Sequence, residues 1–562
     1  MTQRSRLSRR LAAFGFAALL AGAAAAQPPG FVIGSANVAT ADPAVPRPST
    51  TPCVVQLYSG FTFADFTPKP FSYTPPAACP GPWAKVVLEA DFAVTTGRQF
   101  DRTAQIALGH VNLYYGTTAE PSSTLSPTWH VERDLTDYTA LFRTAQTGEV
   151  NLGNLVNSTY TGILSGSARL LFYPASPAAR APRTADVVLS LSTAPGGAAL
   201  LDTTADVLAP SLALPANIEA AYLDVITQSQ SSDEFWFTCV PDDVAGDLFS
   251  CPGSSFREAE ITIDGQPAGV APVYPWLFTG AVDPLLWRPI PAVQTLNFEP
   301  YRVDLTPFAG VLSDGQPHQV GLSVFNANHY FLVTGTLLLY LDAGSTQVTG
   351  AVTRNTLAAQ PQYSVQKTLT PAADGSLTAN VDTTSTRQLL ISGYVNTSHG
   401  RVETTVIQGL RFSNDQDFVL SDTRFFQDID QNTTLLSSTL TREGRSVRHV
   451  ERQLSYPLRF TIDFVVDADG SQAQTTSVDQ KFESLRVQGG PGALTLSQVS
   501  NHMSGHDTLL FNAAGAFTGF RDRATSQTYL SRNTPGACYS RKVTSADGLL
   551  TSVVDGQGCP GH

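Results

Sequence analysis

The chain has 562 residues, and its 47 Asp and Glu against 35 Lys and Arg give a formal net charge of −12. A surface of that sign repels phosphate backbones and anionic lipid, which disfavours nucleic acid and acidic membranes as partners. A chain of this length exceeds one hydrophobic core, so about three domains are expected.

The N-terminus has the pattern of a secretory leader. Arginines precede an apolar run over residues 11–21, and small residues lead up to Gln27. The run is too short to cross a bilayer, and no other stretch is apolar enough to do so. We therefore predict a signal peptide over residues 1–26 and a soluble product, secreted or periplasmic, with no membrane span.

Cysteine usage agrees with export. An even number of cysteines in an oxidising compartment indicates disulfides, and sequence proximity favours the pairs Cys53–Cys79, Cys239–Cys251 and Cys538–Cys559. None of them has the close spacing of a zinc site, and the histidines are scattered. No metal and no cofactor are predicted.

Taken in chain order, residues 27–83 are rich in proline and alanine, and we expect an extended N-terminal arm pinned by the first disulfide. From residue 84 onward, short β-branched and aromatic runs alternate with Gly, Pro, Asn and Asp. No helical pattern of three turns is present. This pattern predicts an all-β protein.

Two parts of the chain repeat one another. Asp134-Leu135-Thr136 recurs as Asp304-Leu305-Thr306, and Ser165-Gly166-Ser167 recurs as Thr334-Gly335-Thr336 at nearly the same offset. The repeat predicts two β-sandwich domains of jelly-roll type, over residues 84–210 and 215–345. Residues 346–562, with polar alternating strands, are expected to form an additional C-terminal β-rich accessory domain.

The stretch 233–290 is the densest in aromatic and acidic residues. It holds three of the five tryptophans, Trp236, Trp276 and Trp287. Flat aromatic surface beside carboxylates suits a site that stacks on a sugar ring and moves protons. If a strand begins at Asp233, Glu234 and Trp236 share the face of a cleft. The alternative is a strand that enters from a turn, with Glu234 merely solvated.

A second candidate carboxylate is Asp101, which lies between Arg98 and Arg102. Two cations should keep it ionised at mildly acid pH, as a base that activates water requires. A structural ion pair at a strand end is the alternative. The second repeat has Arg257-Glu258 where the first has Asp101-Arg102, so the pair is not one that the fold keeps in both copies.

Other acids alternate along predicted strands. Glu258 and Glu260 share one strand face, as do Glu89 and Asp91. They are further sources of a carboxylate in a cleft, and a solvated strand face is the alternative.

With these residues assembled, the stretch from Leu88 to Asp342 resembles the peptide-N4-(N-acetyl-beta-glucosaminyl)asparagine amidase A family, the acidic peptide:N-glycanases of plants, fungi and some bacteria. The resemblance is carried by ordered motifs: residues 88–91, 97–102, 133–138, 153–155, 233–237, 256–258, 274–280 and 301–307.

The resemblance implies that water attacks the side-chain carbonyl of a glycosylated asparagine, leaving aspartate and a glycosylamine. It implies acid pH, no metal, tolerance of α1,3-fucose on the innermost sugar, and N-glycosylated peptides or denatured glycoproteins as substrates of a monomer. By analogy with the flavobacterial-type enzyme, whose cleft lies between two jelly rolls, the catalytic residues are Asp101, Arg102 and Glu234. Substrate binding then falls to Arg98, Trp236, Trp276, Trp287, Glu258, Glu89 and Asp91.

Three other functions compete. A glycoside hydrolase also needs two carboxylates and aromatic platforms. A lectin-like module would tolerate loss of Asp101 without losing affinity for glycans. A copper monooxygenase on tandem jelly rolls would need clustered histidines in both rolls, and these are not visible in the sequence.

Overall fold

The computed structural model describes residues 31–490, 493–534 and 536–559, so the predicted signal peptide lies outside the described residues. The described chain forms two β-sandwiches followed by one long sheet, which confirms the all-β class. None of its described helices is long and apolar enough to span a membrane.

The first sandwich consists of two four-stranded antiparallel sheets. Its strands are β1 (Cys53–Phe63), β2 (Lys69–Tyr73), β3 (Trp83–Val94), β4 (Thr103–Leu108), β5 (Val111–Thr117), β6 (Thr128–Asp134), β7 (Gln146–Asn151) and β8 (Leu164–Pro174). The sheet orders are β1-β8-β3-β6 and β2-β7-β4-β5.

The predicted arm is therefore wrong over the stretch that forms β1 and β2. Both are edge strands, since β1 pairs only with β8 and β2 only with β7. Edge strands tolerate residues such as Gly60 and Pro70 that obscure a strand pattern. Among the described residues, those before Cys53 form no strand.

The second sandwich repeats the first and adds one strand. Its strands are β9 (Val187–Ser190), β10 (Ala198–Thr203), β11 (Ser211–Leu212), β12 (Ile218–Ser229), β13 (Glu258–Ile263), β14 (Gln266–Pro272), β15 (Tyr301–Asp304), β16 (His318–Phe325) and β17 (Asn328–Leu341). The sheet orders are β10-β17-β12-β15, with β9 also on β17, and β11-β16-β13-β14.

The two sandwiches share one topology, because β1 to β8 and β10 to β17 occupy equivalent places in the same order. Asp134 and Asp304 end equivalent strands, and each accepts a backbone N–H two residues on, from Thr136 at 3.1 Å and Thr306 at 3.0 Å. The internal repeat is thus real. Its boundary differs from the prediction, since β9 and β10 pair with β17 and belong to the second sandwich.

The C-terminal part is a twelve-stranded antiparallel sheet. Its strands are β18 (Thr349–Asn355), β19 (Gln362–Pro371), β20 (Leu377–Thr397), β21 (Gly400–Ser421), β22 (Arg424–Glu443), β23 (Ser446–Ser455), β24 (Leu458–Val466), β25 (Gln472–Gly490), β26 (Ala493–Phe511), β27 (Phe517–Asn533), β28 (Ala537–Ala546) and β29 (Leu549–Asp555). Apolar side chains of one face, among them Leu410 and Phe412, join the core of the second sandwich.

Helices are single turns, apart from one longer 3-10 helix. They are α1 (Asp242–Ala245), α2 (Ala309–Leu312) and the 3-10 helices Thr136–Arg143, Pro195–Gly197, Ser231–Asp233, Trp236–Thr238 and Thr306–Phe308. The three disulfides join the cysteines as predicted: Cys53–Cys79, Cys239–Cys251 and Cys538–Cys559.

Candidate active site

The two sandwiches meet where β4 begins and β12 ends. Gln230 Nε2 donates to Thr103 Oγ1 at 2.8 Å, and that hydroxyl lies 3.1 Å from Gln228 Oε1. Asp101 is two residues before Thr103, and Glu234 is four residues after Gln230. The seam therefore brings together the two carboxylates that the sequence singled out.

A long loop of the second sandwich, residues 273–300, completes the seam by lying along edge strand β5. The N–H of Phe298 donates to the carbonyl of Tyr115 at 2.8 Å, and the Tyr114 hydroxyl donates to the carbonyl of Leu296 at 2.6 Å. Nearer the site, Thr279 Oγ1 donates to the carbonyl of Thr118 at 2.6 Å. These bonds hold the loop's Gly280 and Arg288 beside the end of β5.

Glu120 is the residue at this seam that sequence reasoning missed. It is buried, its Oε1 accepts the N–H of Asp101 at 3.2 Å, and its Oε2 accepts Arg288 Nη2 at 3.0 Å. A hairpin formed by β4 and β5 could have indicated this contact. Thr103 pairs with Thr117, so Asp101, just before β4, and Glu120, just after β5, lie side by side.

Gly280 is tightly enclosed by the same acids. Its N–H donates to the carboxylate of Asp101. A Cβ built on Gly280 would lie 2.7 Å from Glu120 Oε1 and closer still to Asp101 Oδ1, so no larger residue fits without displacing them.

Burial raises the pKa of Asp101 to about 6, although the charge of Arg102 and the N–H of Gly280 oppose the rise. The prediction that two flanking arginines govern the ionisation of Asp101 is wrong, because desolvation outweighs the attraction of Arg102, and Arg98 is not among the charges that shift this pKa. Arg98 is exposed and stacks over the rings of Phe100 and Tyr160, at 5.8 Å and 5.4 Å.

The two glutamates titrate above Asp101. Burial, followed by the charge of Asp101, raises the pKa of Glu120 to about 7 and that of Glu234 to about 7. Asp101 is thus the first of the three to ionise, while Glu234 keeps its proton to higher pH. One base and one acid in electrostatic contact are what amide hydrolysis requires.

Glu234 lies on a turn and not in the predicted strand, since residues 231–233 form a 3-10 helix that Glu234 ends. Its neighbour Asp233 is fully buried and accepts Arg257 Nε at 3.0 Å, Arg257 Nη2 at 2.7 Å and the N–H of Asn328 at 2.6 Å. This buried ion pair fixes the turn that presents Glu234 to the seam.

Arg102 has donor capacity left over. Its Nη2 donates to Gln99 Oε1 at 2.7 Å, and its backbone N–H donates to Thr118 Oγ1 at 2.9 Å. Its Nε is buried without a hydrogen-bond partner among the described residues. A free guanidinium N–H beside Asp101 can stabilise negative charge on a substrate oxygen.

The three tryptophans predicted to stack on sugar are all buried, so that prediction is wrong. Trp236, Trp276 and Trp287 are 1%, 3% and 2% exposed. The C-terminal sheet covers the first, whose ring lies 6.2 Å from that of Phe412, and Trp276 packs on Phe298 at 4.3 Å. These residues are core.

Three further predicted binding acids lie in structural ion pairs. Glu258 is fully buried and accepts Arg387 Nε at 2.8 Å. Glu89 is buried and accepts Arg47 and Arg169, each at 2.6 Å. Asp91 is 2.7 Å from a ring nitrogen of His130. The partner of each acid accounts for its position in the structure. None of the three is among the groups that shift the pKa of Asp101.

Two groups of side chains in the described residues have metal-like spacing: Glu89, His130 and Glu132, and Glu219, Asp342 and His399. Arg47 bridges the two glutamates of the first group, and Arg183 pairs with Glu219 in the second. Cations of the protein already pair with the three glutamates, and Asp342 accepts the N–H and the hydroxyl of Ser398, so these carboxylates are engaged within the protein.

The C-terminal sheet holds the segments that carry Glu234 and Arg288. Asn414 Nδ2 donates to the carbonyl of Phe237 at 2.9 Å, and Gln416 Nε2 to that of Cys239 at 3.0 Å. Gln480 donates to the carbonyl of Pro275 at 2.7 Å and accepts the N–H of Val293 at 3.0 Å. Buried amides of the sheet therefore position both loops of the candidate site.

The seam of the two sandwiches brings together buried carboxyl groups and a guanidinium, an arrangement that suits a hydrolase using carboxylates. The family model described as Peptide N-acetyl-beta-D-glucosaminyl asparaginase amidase A matches residues 42–358, and that of the PNGase_A C-terminal domain matches residues 380–458. The chain belongs to this amidase family, the hydrolases of the amide bond between glycan and asparagine.

One relative is the peptide-N4-(N-acetyl-beta-glucosaminyl)asparagine amidase A of Prunus dulcis, 30% identical over 526 residues that cover 89% of each chain. Among solved structures, PNGase F, a glycosylasparaginase from Flavobacterium meningosepticum, is 12% identical with a TM-score of 0.35, over 52% of this chain and 96% of that one. PNGF-II is 11% identical with a TM-score of 0.36, over 52% and 66% of the respective chains.

Proposed function

We propose that the seam between the two sandwiches is the active site, and that it releases N-glycans from N-glycosylated peptides and denatured glycoproteins. One observation carries the proposal: Asp101 and Glu234 come from different sandwiches, yet the charge of Asp101 raises the pKa of Glu234. Two acids with separated pKa values in one cleft have the form of a general base and a general acid.

In the proposed reaction the ionised Asp101 takes a proton from water, and the oxygen of that water attacks the side-chain carbonyl carbon of the glycosylated asparagine. The guanidinium of Arg102 donates to the oxyanion that develops on the carbonyl oxygen. Glu234 gives its proton to the amide nitrogen as the carbon–nitrogen bond breaks. The products are aspartate on the peptide and a glycosylamine.

Glu120 and Arg288 position these groups. Glu120 holds the backbone of Asp101 and the guanidinium of Arg288 at the same time, through its two carboxylate oxygens. Arg288 is carried by the loop that also supplies the N–H of Gly280. Loss of Glu120 should therefore misplace the base without removing it.

The pKa values set the working range. Asp101 must be ionised, which favours pH above about 6. Glu234 must be protonated, which favours pH below about 7. The reactive form is thus most populated at mildly acid pH, in line with the acid pH that the family resemblance implies.

Three disulfides favour an oxidising compartment, so we propose a secreted or periplasmic protein. We also propose that it acts as a monomer and accepts glycans with α1,3-fucose on the innermost sugar. Release from matched fucosylated and unfucosylated glycopeptides at equal rates supports the latter, and release from the unfucosylated one alone contradicts it.

The test of the activity is digestion of a defined glycopeptide in heavy-oxygen water, followed by mass spectrometry of the peptide. Amide hydrolysis places heavy oxygen in a new aspartate, whereas a glycoside hydrolase leaves asparagine bearing a sugar. Asp101→Asn should abolish release while the protein stays folded. Asp91→Asn, an exposed aspartate of the same sandwich outside the site, should retain it. Equal turnover by Asp101→Asn and wild type would refute the proposed base.

A further inference from the structure

The C-terminal sheet places two arginines directly opposite each other on neighbouring strands. Arg452 of β23 and Arg486 of β25 are register partners. Side chains at such positions share one face, with Cβ atoms about 5 Å apart, and like charges there destabilise the sheet. The Arg452 guanidinium lies 5.0 Å from the centre of the Tyr301 ring of β15, so this face is turned toward the second sandwich.

Two more arginines, Arg448 and Arg302, lie close to the pair Arg452 and Arg486. Arg448 is four residues before Arg452 and so lies on the same face of β23, and Arg302 lies on β15. Burial and then the charges of Arg452, Arg302 and Arg448 lower the pKa of Arg486. These guanidinium groups are therefore close enough to repel one another.

Of these four, only Arg302 has its own counter-charge, since Asp224 and Asp137 both bind it. Among the described residues, no carboxylate oxygen lies within 4.0 Å of a guanidinium nitrogen of Arg448, Arg452 or Arg486. The carboxylate of Asp304, which faces Arg448, is already bound by Thr306 and Thr439.

A cavity of about 430 Å³ adjoins the cluster and provides access. Arg448, Tyr222 and Gln488 contribute to its lining, whereas Arg452 and Arg486 lie outside it. The two glutamates that also line it are already paired, Glu219 with Arg183 and His399, and Glu443 with His399. Gln488 connects the cavity to the pair, because its Oε1 lies 3.4 Å from Arg486 Nη2. Arg448 is exposed, and Arg486 keeps an exposed part of its side chain although neighbouring segments partly desolvate its guanidinium, so a solute can reach both.

We propose that this surface is a binding site for an oxyanion, with Arg452 and Arg486 bridged by one sulfate, phosphate or carboxylate group and Arg448 at the mouth. Guanidinium groups bind such anions through paired N–H donors. In a chain with a net charge of −12, three unpaired arginines on one face favour an anionic ligand. The anion is either a free inorganic ion or an acidic group on a glycan, and only the glycan source rests on the proposed function.

The first arm of the test titrates sodium sulfate, and separately sodium phosphate, into the protein at constant ionic strength set with sodium chloride. Wild type should show a saturable rise in Tm, and calorimetry should show binding. Arg486→Gln and Arg452→Gln should each weaken the apparent Kd about tenfold or more. In chloride alone, Arg486→Gln should be at least as stable as wild type because the like-charge pair is gone.

The matched control is Arg442→Gln. Arg442 is an exposed arginine next to Thr441, which lines the cavity, so alternation along β22 places it on the opposite face of the sheet. It should bind sulfate as wild type does. A rise in Tm that is equal in all variants, or that chloride reproduces, would overturn the proposal.

The second arm compares an oligosaccharide bearing a terminal carboxylate or sulfate with its neutral counterpart. Saturation at lower concentration by the acidic sugar, lost in Arg486→Gln, assigns the site to a glycan. Saturation by inorganic anions alone assigns it to a free ion. Saturation by neither overturns the proposal. Because sulfate binding is read without turnover, this result is independent of whether the amidase site is assigned correctly.

Discussion

Replacing Gly280 with alanine perturbs the proposed active site by one methyl group and no charge. The added carbon would lie 2.7 Å from Glu120 Oε1 and nearer to Asp101 Oδ1. Carbon–oxygen contacts are normally about 3.3 Å, so each carboxylate must move by roughly 0.6 Å or more. A shift of about 1 Å in a catalytic group costs about 100-fold in rate, and we expect kcat to fall about 10- to 100-fold.

Overpacking should also lower the free energy of unfolding of Gly280→Ala by about 2 kcal/mol. The assay is steady-state glycan release from a fluorescent glycopeptide, with urea unfolding measured on the same samples. Gly246→Ala is the control, because a Cβ on Gly246 meets nothing within 4 Å and its φ is −65°. Should Gly280→Ala keep a kcat within threefold of wild type, the assignment of Asp101 and Glu120 to the site is refuted.

Three further variants test stability and positioning. Asp233→Asn should lower the free energy of unfolding by about 3 kcal/mol in urea, because it leaves Arg257 buried without a counter-charge; a loss below 1 kcal/mol, about the value of an exposed pair, contradicts this. Gln480→Met removes two hydrogen bonds to loop 273–300 and should lower the free energy of unfolding by about 2 kcal/mol. It should also lower kcat more than it changes KM, and an unchanged kcat contradicts a role of Gln480 in positioning this loop. Burial raises the pKa of Asp507 from 3.8 to about 6, so its stabilisation is present at acid pH and lost as pH rises through about 6. Asp507→Asn should therefore have a higher free energy of unfolding than wild type at alkaline pH. A gain confined to acid pH would contradict a raised pKa of Asp507 in the folded state.

Much of the fold can be predicted from the sequence, because local patterns of residues specify its strands. Alternating apolar runs predict strands, and the repeated Asp-Leu-Thr motif marks equivalent strand ends, where the aspartate accepts a backbone N–H. The predicted domain boundaries are wrong where a strand pairs with a partner that is distant in sequence. β1 carries Gly60 and β2 carries Pro70, and only their pairing with β8 and β7 reveals them as strands.

The site was predictable by residue type but not by environment. Asp101 and Glu234 stand out as carboxylates beside an arginine and an aromatic run. Glu120 follows a strand without any motif, so only the β4–β5 hairpin brings it to Asp101. Trp236 has the residue type of a sugar-stacking platform, but β21, a strand more than 150 residues away in sequence, covers it, and Phe412 of that strand lies against its ring. Burial by distant segments leaves no local pattern.

The pH dependence of kcat/KM for a glycopeptide, compared between wild type and Glu234→Gln, probes the division of roles between Asp101 and Glu234. Wild type should rise through a pKa of about 6 as Asp101 ionises and fall through about 7 as Glu234 loses its proton. The residual rate of Glu234→Gln should keep the rise and lose the fall. A falling limb that persists unchanged in Glu234→Gln would contradict Glu234 as the acid.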